Sequence, residues 1–159
     1  MLGLLPAQAQ AANLITELDS TVVSIHDYST INRQITAKSS PAVIQGAVSA
    51  MNQQLFTVKA ALTPFDADLT KSWVYLGKTS NGTYPARAIL RQFDLAAFAW
   101  YNFEISAQKE ITTCYKKVST SKQCVLKFHA KNKKNELARY GKVSAQLKII
   151  EQWRLAAKK

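Results

Sequence analysis

Residues 40–64 read SPAVIQGAVSAMNQQLFTVKAALTP, and their spacing decides the fold class. Ile44, Val48, Met51, Leu55, Val58 and Leu62 recur at steps of four, three, four, three and four, the repeat that aligns one face of an α-helix. Ser40 offers a capping hydroxyl, and Pro41 suits a first turn, where its missing N–H costs nothing. At the far end Thr63-Pro64 predicts a stop, because proline pushes the residue before it out of the α region.

Working outward from this helix, the same period recurs on both sides. Toward the N-terminus, residues from about Ala12 to Lys38 carry Leu14, Leu18, Val22 and Ile25 on one stripe, continued by Tyr28, Ile31 and Ile35. Toward the C-terminus the pattern breaks between Phe65 and Pro85. Gly77, Asn81-Gly82 and Pro85 mark an irregular connector, with a short helical turn expected over Asp68–Trp73. Asn81-Gly82-Thr83 is formally a glycosylation sequon, although Asn-Gly is also a tight-turn signal. A third helix is predicted from near Pro85 to about Lys117, with Leu90, Phe93, Ala97, Trp100 and Tyr101 as a broad core face. A fourth covers about Ser121–Ala157, with Tyr140, Val143, Leu147, Ile150 and Trp153 inward. Gly141 inside it is either a weak point of roughly 1 kcal/mol relative to Ala or a place where another backbone comes close.

Short turns between the first and second and between the third and fourth helices imply antiparallel neighbours. The expected architecture is therefore all-α, an up-down-up-down four-helix bundle with a short irregular connector between helices 2 and 3. Residues 13–159 would form the bundle, with residues 1–12 as an N-terminal tail or the remnant of a targeting segment. Met1–Leu5 followed by Ala7-Gln8-Ala9 and Ala9-Gln10-Ala11 reads as the end of an export segment with an Ala-x-Ala site, although no basic region precedes it.

Charge is distributed unevenly. The chain carries 21 Lys and Arg against 10 Asp and Glu, a formal +11. All of the excess lies in residues 109–159, where only Glu110, Glu136 and Glu151 oppose the bases. Such asymmetry steers a molecule toward an acidic partner; a solvated helix face is the plainer reading. The candidate docking lysines are Lys116, Lys117, Lys122, Lys127, Lys131, Lys133 and Lys134, with Lys142 and Lys148 further along the helix. Within this segment only Arg139 and Arg154 are arginines. Lysine without arginine favours long-range electrostatics over bidentate base reading, so nucleic acid is not the expected partner.

Cys114 and Cys124 flank part of that basic run. Their spacing matches no zinc, haem or Cys-x-x-Cys redox pattern. Two free buried thiols or one disulfide remain, and the export signal favours the disulfide, which needs an oxidising compartment. Catalytic and cofactor signatures are missing. The residues show no inward Glu-x-x-His pair, no nucleophile elbow, no phosphate-cradling loop and no dinucleotide fingerprint. His26 beside Asp27 suggests a local hydrogen-bonding pair, and His129 between Lys127 and Lys131 suggests a solvated side chain. The expectation is a non-enzymatic protein without metal or cofactor.

Three stretches together carry a resemblance. Lys71-Ser72-Trp73-Val74-Tyr75 precedes Ala88-Ile89-Leu90-Arg91-Gln92-Phe93-Asp94-Leu95, and Glu136-Leu-Ala-Arg-Tyr140 leads into Val143-Ser144-Ala145-Gln146-Leu147. Over roughly residues 70–150 this resembles the PsbQ family, extrinsic subunits of photosystem II in the thylakoid lumen. That family has a Lys-x-Trp-x-Tyr element, a Leu-Arg-x-Asp-Leu helix and a last helix with Tyr and Val-Ser-Ala-x-Leu. This chain departs from it in having two residues between Arg91 and Asp94, a longer connector, the Cys114–Cys124 turn and a reduced N-terminal arm. The resemblance implies a divergent, algal extrinsic subunit peripheral to the membrane, helping to retain calcium and chloride at the oxygen-evolving complex without ligating them. Its partners would be the acidic lumenal surface of the photosystem II core and other extrinsic subunits. A periplasmic helical adaptor of a secretion or pilus apparatus, or a PsbQ-like subunit of another thylakoid complex, would share the same sequence features.

Overall fold

The computed structural model describes residues 7–71 and 87–156, with side chains from Asn13 onward and up to Leu155 in the last helix. They form four helices: α1 (Ala7–Gln34), α2 (Pro41–Lys71), α3 (Arg87–Cys114) and α4 (Val118–Ala156). Among the described residues there is no strand, and the packing is that of an all-α four-helix bundle.

Each turn is built from short polar side chains. Ser40 caps α2 as its sequence suggests: its Oγ accepts from Val43 N at 3.2 Å and its carbonyl from Ile44 N at 3.0 Å. Thr36 and Ser39 close the preceding turn, with Ser39 N donating to the Thr36 carbonyl at 3.0 Å and Thr36 N to Ser39 Oγ at 3.1 Å. The α3–α4 turn is fastened covalently, because Cys114 and Cys124 form a disulfide with Cα atoms 5.7 Å apart. Ser121, fully buried, donates to the Pro41 carbonyl at 3.0 Å and so ties the start of α4 to the start of α2.

The core fills with the periodic residues. Ile44, Val48, Met51, Leu55 and Val58 of α2 are buried on one stripe, and so are Leu90, Phe93, Ala97 and Trp100 of α3. Leu14, Leu18, Ile25 and Tyr28 of α1 join them, with Val22, Ile31 and Ile35 packed at the edge. A smaller cluster of Ile44, Val48, Ala107, Ile111, Val125 and Phe128 underlies the disulfide end.

Helix α2 does not stop at Thr63. It runs through Pro64 to Lys71, so the expected break and the separate turn from Asp68 are corrected to one continuous helix as far as Lys71. The reason is that the apolar stripe continues past the proline: Leu62, Phe65 and Leu69 are all 0% exposed. Proline inside a helix costs about 3 kcal/mol, whereas burying a phenylalanine and a leucine gains roughly 1.5–3 kcal/mol each. Pro64 itself faces solvent, where water can satisfy the carbonyl that loses its partner.

In α4 one expectation is corrected and one pair of alternatives is decided. Trp153 is 37% exposed rather than inward, because the end of α4 is held on α1 by Arg154 instead. Its guanidinium grips Asp19 with two bonds of 2.8 and 3.3 Å. Gly141 lies on the exposed side, with nothing within 4 Å of where a Cβ would stand, so no backbone approaches it.

Candidate functional site

On α4 the basic side chains divide between two flanks. At 3.6 residues per turn, Lys127, Lys131, Lys134 and Lys142 fall on the flank next to α3, where Lys127 and Lys131 border a cleft with Glu110 and the disulfide. Lys133 falls on the other flank, toward α1. Lys116 and Lys117 are exposed in the α3–α4 turn and Lys122 is half-buried at the start of α4. Of these eight lysines, only Lys131 has a carboxylate partner among the described residues: Glu110, at 3.5 Å. The others are unneutralised.

The residues of the family-like motif hold helices together. Leu90 is buried. Arg91 bridges Asp66 of α2 at 3.0 Å and Asp94 of its own helix at 2.8 Å. Asp94 is buried, and its carboxyl is pushed up to about 7 by burial first and by the neighbouring Asp66 carboxyl second, against the lowering effect of Arg91. Asp94 Oδ1 is buried without a hydrogen-bond partner. Leu95 is half-exposed, so it does not belong to the core. Trp73 and Tyr75 of the same motif lie outside the described residues, as does the Asn81-Gly82-Thr83 sequon.

A polar cluster inside the bundle has no counterpart in the sequence reading. Tyr28 of α1 donates from its hydroxyl to Glu104 Oε2 of α3 at 2.5 Å and accepts from Gln108 Nε2 at 3.0 Å. All three residues are buried. Burial, with Glu136 adding to it, raises the Glu104 carboxyl to about 7, while the Tyr28 bond and His129 pull it down. The same burial and the Glu104 charge push the Tyr28 phenol well above its ordinary value. Trp100 packs edge-on against the Tyr28 ring with centroids 5.2 Å apart.

Tyr28, Trp100 and Glu104 line a cavity of about 430 Å³ between the end of α1, the middle of α4 and α3. His129 is placed on this cavity, with Nδ1 3.1 Å from Glu136 Oε2. The expected solvated histidine is thus corrected to a half-buried, partnered one, because two residues along the helix, roughly 200°, turn it away from Lys127 and Lys131 and onto this cavity. His26 and Asp27 are both exposed, and no hydrogen bond joins them among the described residues.

The signal that could have revealed the cluster is the stripe Ala97, Trp100, Glu104, Gln108 and Ile111, in which two polar residues occupy helical core positions. Among the described residues, no group of three or more His, Cys, Asp or Glu is placed to hold a metal ion. No helix among them is long and apolar enough to cross a membrane. Comparison with protein-family models, curated proteins and solved structures gives no match.

Proposed function

We propose that this chain is a non-enzymatic extrinsic subunit that docks by its basic turn and last helix on an acidic lumenal surface of photosystem II. There it would stabilise the oxygen-evolving complex and the retention of calcium and chloride. The observation that carries the docking is the set of exposed lysines at the α3–α4 turn and along α4, of which only Lys131 has a carboxylate partner among the described residues. Charges left unpaired on a rigid helix are available to an acidic surface without first breaking an internal bond. The disulfide holds the turn lysines in a fixed place on the bundle and accords with an oxidising compartment. The resemblance of residues 70–150 to the PsbQ family supplies the partner and the thylakoid lumen as the site.

Reconstitution tests the reading. Photosystem II membranes stripped of extrinsic subunits should rebind the purified chain and regain oxygen evolution at low calcium and chloride. Failure to rebind would remove photosystem II as the partner. Retention instead on another thylakoid complex, or on periplasmic secretion components, would favour the corresponding alternative.

A further inference from the structure

We propose that the cavity between α1, α3 and α4 is a binding site for a small amphipathic amine, its ammonium at Glu104 and Asn32 and its apolar body against Trp100 and Tyr140. This inference does not depend on docking to photosystem II.

The size and the walls are those of a ligand pocket rather than a packing defect. About 430 Å³ falls in the range of small-molecule sites, which combine apolar walls with a few converging polar groups. Ile35, Leu126, Leu137 and the two aromatic residues Trp100 and Tyr140 supply the apolar lining.

The polar groups specify the charge. Glu104 lines the cavity, is 3% exposed, and is bonded by Tyr28 through Oε2 alone. Asn32 lines it too, and its buried Oδ1 has no hydrogen-bond partner. A buried acceptor left unmatched is unfavourable, so the site calls for a donor. An ammonium group carries three donors and a positive charge. Trp100 and Tyr140, both lining the cavity, are of the aromatic type that attracts a cation. The cavity's own cations are placed differently: Arg33 and Lys133 are exposed, and Arg33 Nε is already engaged with the Ser29 carbonyl at 3.2 Å. His129 is occupied by Glu136.

The test uses phenethylamine as the probe, with 3-phenylpropionate and 2-phenylethanol as matched anionic and neutral controls. Titration of the full chain, followed by the Trp and Tyr NMR signals, should show saturable binding of the amine at Trp100 and Tyr140. Neither control should bind within tenfold of it. Binding should weaken from pH 8 to pH 6 as Glu104 takes up a proton. Glu104→Gln should weaken the amine at least tenfold. Because that change touches a buried group, Leu137→Trp, at the exposed rim, serves as the second variant and should block the cavity in a folded protein. No saturable amine binding at millimolar concentration overturns the proposal. So does equal binding of the carboxylate or alcohol, or undiminished binding by both folded variants.

Discussion

Glu104 occupies a position on the α3 core stripe where a leucine would pack without needing a partner. The fold tolerates the carboxyl because Tyr28 donates to it and Gln108 in turn donates to the Tyr28 hydroxyl, and it answers burial by holding its proton up to about 7. The consequence for stability has a definite sign. Between the ordinary carboxyl value of 4.5 and about 7 the folded state binds the proton more readily than the unfolded chain. Stability gained from this group is therefore complete below the ordinary value and is lost as pH rises through about 7. Glu17, raised to about 7 by burial and by the Asp68 carboxyl, and Asp94 act in the same direction. Urea unfolding should show the protein more stable at pH 5 than at pH 8, with Glu104 contributing on the order of 3 kcal/mol at most. Glu104→Gln should flatten the profile; a stability that rises with pH would contradict this assignment. The cluster was hard to read from sequence because its members are 76 and 80 positions apart, and only their places on two core stripes mark them. His129 was misplaced for a related reason: its lysine neighbours in sequence point elsewhere on the helix.

At the scale of elements, α2 shows how tertiary burial overrides a local stop signal. Local steric preference gives the Thr63-Pro64 boundary, whereas the 0% exposure of Phe65 and Leu69 rewards continuing. Pro64→Ala should restore the missing hydrogen bond at an exposed site and raise stability by roughly 1–3 kcal/mol. Phe65→Ala should lower it by about 3–5 kcal/mol. Both are measurable by denaturant titration, and destabilisation by Pro64→Ala would mean that the proline shapes the helix in some required way. The disulfide closes a short loop, and replacing Cys114 and Cys124 by serine should cost about 2–3 kcal/mol. A fall in thermal midpoint seen equally in wild type under reducing agent checks that the loss belongs to the bond. The four helices and their inward faces were legible because a strong 3.6-residue period leaves few alternatives. Trp153 was not, since its exposure depends on how the Arg154–Asp19 pair seats the end of α4, a contact spanning almost the whole chain.

At the scale of the whole molecule, a bundle with a neutral body carries an unpaired basic edge. The period that predicts the core also predicts which lysines share a flank, but not whether an acid from another helix neutralises them. Among the described residues, only Lys131 of the seven candidates is so paired. The Debye length falls from about 10 Å at 0.1 M salt to about 3 Å at 1 M, so an attachment made by the remaining charges should fail at high salt while the core stays folded. The most direct test is binding to stripped photosystem II membranes across that salt range. Wild type is compared with Lys116→Glu/Lys117→Glu/Lys122→Glu and with Lys127→Glu/Lys131→Glu/Lys134→Glu. The account predicts that wild type binds at low salt, is released near 1 M without unfolding, and that at least one triple variant binds more weakly with a shallower salt slope. Wild-type affinity and an unchanged slope in both variants would contradict it, leaving the lysines as a solvated face.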